Sequence, residues 1–437
     1  MTGKLTKARA VSGFPEFLPE ERMVELAWLD VIRATFESYG FCNIETPSVE
    51  ELDVLLAKGE TDKEIYVLKR LQEEAGEKHD ARLGLHYDVT VPCARYVAQH
   101  FNDLVFPFKR YQMQRVWRGE RPQEGRFREF TQCDIDVIAQ DELAIHFDAE
   151  LPSIILEILE KLNVGPVKLL VSNRKILIGY LSGLGIEDTA AAVRILDKLD
   201  KIGPDQVVAQ LRAQAGLDEA TSRCALALAA IKSEDVGFVD AVRALGVENE
   251  MLTAGLDELA FVMQHIAVPQ SAKVVADLSI ARGFDYYTGS VYEARLEEYP
   301  DYGSIGAGGR YDDLASSFIA KKLPGVGISL GLTRLFSKML AEKKLPVARK
   351  SPADVLVVLP SEERRAVTGA TAKQLRARGL KVEMFHAGAK LKRQLAYAER
   401  KGIPFVWFPP FEDGLAHEVK NMETGDQSAA DPSRWIP

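Results

Sequence analysis

A chain of 437 residues, 46% hydrophobic and 27% charged, can bury the cores of two or three globular domains. No apolar run approaches the roughly 18–20 residues that span a bilayer, and no apolar stretch follows Lys4, Lys7 and Arg9, which argues against a helical membrane protein and a secretory signal. The formal net charge of −9 argues against indiscriminate coating of nucleic acid, although locally placed positive charge can still bind it. A cytoplasmic location is expected. Cys42, Cys93, Cys133 and Cys224 lie far apart without metal-type spacing and read as reduced, buried thiols.

In chain order, PEERMVELAWLDVIRATFESYGF (19–41) reads as a helix. Pro19 and two glutamates suit its first turn, Trp28, Ile32, Phe36 and Tyr39 recur at helical spacing, and Gly40 ends it. CNIETPSVEELDVL (42–55) follows as a short strand whose Pro47 suits an edge or an interface. Within 104–138, RYQMQRVWR and FTQCDIDVI read as the two strands of an antiparallel hairpin, with Cys133, Ile135 and Val137 on one face. Pro122 and Gly125 mark the turn, and residues 116–132 set four arginines among three glutamates. A helix is expected over 140–162 and a strand at KLLVSN (168–173).

From 173 to 270 the chain becomes Ala/Leu-rich helical pieces broken by Gly and Pro, as expected of a small domain inserted between strands of a larger one. Strand-like alternation returns at 274–296, and GVGISLGLTRLFSKML (325–340) resembles a strand running into a helix. Residues 343–353 read as a linker. Beyond it, DVLVVLP, a helix over 362–378, KVEMF, a helix over 390–401 and IPFVWFPP have the β-α-β-α-β spacing of a small, mostly parallel sheet covered by helices. From Arg364 to Lys401 the chain carries eleven Lys/Arg, most of them on those helices, opposed only by Glu383 and Glu399.

Two glycine- or arginine-bearing segments stand out. GAGGRYDD (306–313) has neither the Rossmann spacing nor the GK[ST] of a P-loop; it reads as a flexible turn, or as a substrate-covering loop given Arg310 and Tyr311. ARGFDYYTG (281–289) places Arg282, Asp285, Tyr286 and Tyr287 within six residues. With Arg334 and the hairpin arginines, these make a site rich in guanidinium groups. No Ser–His, Cys–His or HExxH pattern supplies a nucleophile or metal. Such a set suits phosphate chemistry by positioning and charge stabilisation.

In this order the segments resemble the class II aminoacyl-tRNA synthetases, and among them the histidyl-tRNA synthetase family. Pro47 looks like the motif 1 proline of the dimer interface, RGERPQEGRFREFTQ like motif 2, and GISLGLTRL like motif 3. ARGFDYYTG and GAGGRYDDL are similar to the two histidine-enzyme signatures, and the likeness runs from about residue 12 to the end. The resemblance implies an α+β fold: an antiparallel catalytic sheet flanked by helices (1–172 and 271–342), a helical insertion (173–270) and a C-terminal α/β anticodon-binding domain (354–437). It implies a homodimer that activates L-histidine with ATP and Mg2+, then transfers it to the 3′ end of tRNA(His).

The residue roles are implied likewise. Arg118 would hold the α-phosphate, Glu120 accept from the adenine amino group, Phe130 stack on the ring and Arg334 bind the γ-phosphate. Arg282 would stabilise charge at the α-phosphate during attack. Asp88, Thr90 and Gln132 would receive the α-ammonium; Asp136 and Tyr287, with Tyr286 beside them, would bracket the imidazole, and Tyr311 would close a loop over it. Arg121, Gln123 and Arg126 would meet tRNA, and no protein metal site is implied. Asp88 and Asp136 stand where many members have glutamate, His86 where arginine is frequent, and Thr333 where glutamate is common. Non-catalytic relatives act as a regulatory subunit or tRNA sensor. The regulatory type lacks the C-terminal domain and loses motif residues, whereas Arg118, Arg282, Arg334 and the basic C-terminal run are present here.

Overall fold

The computed structural model describes residues 7–57, 65–70, 82–280, 287–313, 315–412 and 414–437. It divides into two compact units, one of residues 1–15 and 29–344, the other of 16–28 and 345–437. The architecture is α+β.

In the first unit, α1 (Pro19–Ser38) contributes its later turns, followed by β1 (Cys42–Asn43), β2 (Val49–Glu51), α2 (Leu52–Leu55), β3 (Leu83–Leu85) and α3 (Thr90–Gln99). Pro47 falls between β1 and β2 and is part of neither strand, as a residue without an N–H to give the ladder. The long hairpin strands are β4 (Phe108–Trp117) and β5 (Glu129–Ile138), and α4 covers Phe147–Lys161. Helix α4 starts seven residues later than the expected 140, because the carbonyls of Leu143 and Ala144 turn to accept from Arg310 (3.1 and 3.3 Å).

β6 (Val167–Asn173) leads into the helical insertion: α5 (Arg174–Gly183), α6 (Thr189–Leu196), α7 (Leu199–Ile202), α8 (Pro204–Gln214), α9 (Glu219–Ala229), α10 (Phe238–Arg243) and α11 (Glu250–His265). Side chains of Asn173, Asp188, Asp218 and Asn249 cap α5, α6, α9 and α11, satisfying N–H groups that each helix start leaves open. One two-residue strand, β7 (Lys232–Ser233), interrupts the helices and pairs with β8 (Ala272–Asp277). Then come β9 (Ser290–Leu296), β10 (Ser304–Tyr311), β11 (Gly325–Gly331) and α12 (Leu332–Ala341).

The large sheet has nine strands in the order β1-β4-β5-β11-β10-β9-β6-β8-β7. Its centre from β4 to β6 is antiparallel, and only β1–β4 and β6–β8 pair in parallel. Helix α4, buried along Leu151, Ile154, Ile155 and Ile158, packs on β11. Residues 306–311 of GAGGRYDD are therefore strand, not turn or loop, and only Asp312 and Asp313 lie beyond it. Its glycines answer to close packing: a Cβ on Gly308 would lie 2.2 Å from the Gly327 carbonyl oxygen, and one on Gly309 2.6 Å from that of Ser290. Arg310 is buried in a paired contact with Asp148 (Nε to Oδ1 3.0 Å) and serves the fold. Cys93 and Cys133 are buried as expected, but Cys42 and Cys224 are exposed.

The second unit holds β12 (Val355–Val357), α13 (Arg365–Ala377), β13 (Val382–Met384), α14 (Leu391–Lys401) and β14 (Phe405–Phe408), with β12 parallel to both β13 and β14. Two further strands, β15 (Glu418–Asn421) and β16 (Gln427–Ala429), extend the sheet antiparallel beyond β14. Trp407 and Leu375 fill one face of this sheet, and Phe385 and Val406 the other. Gln394, fully buried, grips the backbone of Leu359 through both its amide groups. No described helix is long and apolar enough to cross a membrane.

Candidate active site

The β4–β5 register places Arg110 opposite Asp136, Gln112 opposite Asp134, Gln114 opposite Gln132, and Val116 opposite Phe130. Alternation therefore collects polar side chains on one face of the hairpin while Cys133, Ile135 and Val137 enter the core on the other. Buried polar groups are costly unless paired, so a sheet face of this kind marks a binding surface. It floors a cleft of about 980 Å³, into which β10, β11 and the start of α12 also face.

At one end of the cleft lie three buried carboxylates: Asp88, ahead of α3, and Asp134 and Asp136 on β5. Asp88 Oδ1 accepts from the Val91 N–H (3.2 Å), while its Oδ2 has no hydrogen-bond partner among the described residues. Burial pushes Asp88 up to about 6, against the pull of the Val91 N–H, Arg118 and Arg110. Burial likewise pushes Asp134 up to about 7, with Arg110 opposing. Asp136 is held from two sides, by Arg110 Nη2 at 2.5 Å and by the Tyr311 hydroxyl donating at 2.8 Å to Oδ1. Its pKa is nonetheless raised by burial, and Arg110 and Tyr311 limit the rise. A Cβ on Gly327 would sit 2.0 Å from Asp136 Oδ1, so only glycine on β11 leaves room for this carboxylate.

Gln132 donates Nε2–H to Ser329 Oγ (2.8 Å) and keeps a buried Oε1 without a hydrogen-bond partner among the described residues. Thr90 and Tyr287 line the same end of the cleft, and a Cβ on Gly309 would touch the Tyr287 ring at 2.8 Å. Tyr311 lies on the sheet beneath the cleft rather than on a loop above it. Towards the other end, Arg118 donates to the Tyr87 carbonyl (3.0 Å) and stands over the Phe130 ring at 5.1 Å. Glu120 lines the cleft, 3.6 Å from Arg126 across the hairpin turn. Arg334, in the first turn of α12, lines the same cleft as Phe130 and Glu120. Thr333 fixes that helix start to β5 by accepting from the Thr131 N–H at 2.8 Å. Gln123 and Arg126 line the outer cleft and bridge each other through their backbones; Arg121 is exposed outside the lining.

Arg282 and Tyr286 lie outside the described residues. Two residues of the site escape a reading of the sequence alone. Asp134 shares the face of Gln132 and Asp136 at strand spacing, a signal present in QCDID itself. Arg110 becomes visible only once the hairpin register is known. Among the described residues, no three His, Cys, Asp or Glu side chains group as a metal site.

A mostly antiparallel sheet carrying an arginine-bearing hairpin beside a strand–helix arginine is the catalytic architecture of class II aminoacyl-tRNA synthetases. Residues 13–335 match the Histidyl-tRNA synthetase family model, residues 354–430 match an Anticodon binding domain, and the chain belongs to the histidyl-tRNA synthetase family. It is 59% identical over 432 residues to the histidine–tRNA ligase of Thermobifida fusca, covering 99% of both chains. It is 47% identical to that of Micrococcus luteus, covering 99% of this chain and 97% of the relative. The crystal structure of the histidyl-tRNA synthetase from Nostoc sp. PCC 7120 superposes with a TM-score of 0.85 at 37% identity, over 98% of this chain and 97% of that one.

Proposed function

We propose that the cleft joins L-histidine to ATP and passes the histidyl group to the 3′ end of tRNA(His). In the first step a histidine carboxylate oxygen bonds to the α-phosphorus as the bond to the β-phosphate oxygen breaks, releasing pyrophosphate. In the second a ribose hydroxyl of the tRNA terminus attacks the carbonyl carbon, its proton is lost, and AMP leaves. Both steps are displacements at pre-formed electrophiles, which fits a site built from charge and position rather than a protein nucleophile.

The single observation that carries this reading is the polarity of the cleft, with a buried acidic floor at one end and Arg118, Phe130 and Arg334 towards the other. Asp88, Thr90 and Gln132 receive the ammonium; the open Asp88 Oδ2 and Gln132 Oε1 are acceptors of the kind an –NH3+ needs. Asp136 and Tyr287 bracket the imidazole with Tyr311 behind Asp136, and Tyr286 belongs to the same group. Pairing both ring nitrogens rejects side chains that leave buried polar groups unsatisfied. Arg118 takes the α-phosphate, Glu120 and Phe130 the adenine, and Arg334 the γ-phosphate, while Arg282 stabilises charge as the carboxylate attacks. Mg2+ arrives as part of the ATP complex. Arg121, Gln123 and Arg126 meet the tRNA acceptor end, the basic helices of the C-terminal domain meet its anticodon region, and the working form is a cytoplasmic homodimer joined near Pro47.

Histidine-dependent ATP–pyrophosphate exchange tests the reading; folded protein that shows none with histidine ends it. Arg282→Ala should lower the exchange rate with little change in ATP binding, and a rate near wild type removes its assigned role.

A further inference from the structure

We propose that Tyr302, in the turn Pro300–Tyr302 between β9 and β10, is a positioning residue for the nucleotide, holding Arg334 and the β4–β5 turn in one assembly. The inference rests on the reading of Arg334 as a nucleotide-binding residue. Tyr302 and Arg334 are joined three ways. Arg334 Nη2 donates to the Tyr302 carbonyl, the Tyr302 hydroxyl donates to the Arg334 carbonyl at 2.7 Å, and the guanidinium lies over the ring with Cζ 4.9 Å from its centroid. Lys338, one turn further along α12, stands over the same ring at 5.2 Å and pairs with Glu124 of the hairpin turn at 3.2 Å. The turn itself rests on the ring: a Cβ on Gly125, whose φ is +70°, would come within 2.8 Å of two Tyr302 ring carbons.

One aromatic ring therefore touches both the motif 2 turn and the motif 3 arginine. Guanidinium is planar, and Tyr302 occupies one of its faces and one of its amino groups. The buried Arg334 Nε has no hydrogen-bond partner among the described residues, and Arg334 lines the cleft. An arginine fixed in this way meets a planar base or a phosphate without first losing its rotamer freedom, which is how positioning improves binding. The second contact, through Gly125, keeps the turn carrying Glu120 in step with α12.

The test uses steady-state pyrophosphate exchange on the full chain with Tyr302→Leu, Tyr302→Phe and Arg334→Ala. Tyr302→Leu should raise KM for ATP roughly tenfold and KM for histidine less than about twofold, the split expected when one substrate's positioning alone is disturbed. Tyr302→Phe, which keeps the ring and the backbone contact, should recover most of that effect and leave a rise of about two- to threefold. KM values for the two substrates that rise together, or do not move, overturn the inference. If Tyr302→Leu does not fold, an unchanged KM for ATP in Tyr302→Phe does the same. Arg334→Ala separates the layers: an unchanged KM for ATP there removes the nucleotide reading of Arg334, whereas a large rise beside inert Tyr302 variants removes only the role of Tyr302.

Discussion

Arg110 and Asp136 stand opposite each other on β4 and β5 and form an ion pair at 2.5 Å with both side chains buried. Arg110 Nε, Nη1 and Nη2 meet no hydrogen-bond geometry among the described residues, so the charge contact with Asp136 is the chief polar anchor of this guanidinium. Burial alone disfavours the guanidinium charge, but Asp136, Cys93, Asp134 and Tyr311 together raise the pKa above its usual value. The pair orients a carboxylate where water is scarce, and Arg110 limits the rise that burial imposes on its pKa.

Arg110→Met leaves Asp136 buried without its cation. Breaking one side of a buried pair costs about 3–5 kcal/mol, so the variant should be destabilised by that much in urea unfolding. Arg110→Met with Asp136→Asn should be less destabilised than Arg110→Met alone, because no lone charge remains.

Gly327→Ala tests the room around the same carboxylate. Its Cβ would meet Asp136 Oδ1 at 2.0 Å, and Asp136 must turn away. KM for histidine should rise roughly tenfold or more, at least about 1.4 kcal/mol, with a smaller change in KM for ATP. Equal changes in both would show a general distortion of β11.

A pH dependence follows from Asp134, raised from the usual 3.8 to about 7 by burial. Between these values the folded chain keeps a proton that the unfolded chain releases, so this residue's contribution to stability is present below about pH 4 and lost as pH rises towards 7. Asp134→Asn removes the effect, and its stability relative to wild type should improve over that window and level off above it. Denaturant midpoints measured across the window check the sign. Bound histidine should narrow the difference, because its ammonium favours the ionised carboxylate.

Lys392 and Arg393 are exposed on α14 of the C-terminal domain. Replacing both with glutamate should raise KM for tRNA(His) far more than KM for ATP and flatten the salt dependence of aminoacylation. Every phosphate that is no longer neutralised takes about 0.7–0.9 off the log–log salt slope. Equal effects on both substrates would mean that the helix serves folding alone.

Local rules sufficed for much of the fold. Cys133, Ile135 and Val137 alternate as a strand with one buried face, and the 390–401 run became α14 almost residue for residue. The failures each needed tertiary knowledge. Gly306 to Gly309 look like a turn because glycine is permissive, yet at Gly308 and Gly309 neighbouring backbone leaves no space for a Cβ. Residues 140–146 look helical until Arg310, far along the chain, takes two of their carbonyls. Glu418–Asn421 and Gln427–Ala429 are short, polar strands that pairing creates rather than propensity. Arg110 could not be joined to Asp136 without the register.

The glycine-lined part of the floor sets a limit on redesign. Gly308 and Gly327 line the cleft and have no side-chain atom left to remove, so no truncation at either position can enlarge the end that carries Asp136. More room there has to come from residues that keep a side chain, such as the hydrogen-bonded Asp136 and Tyr311.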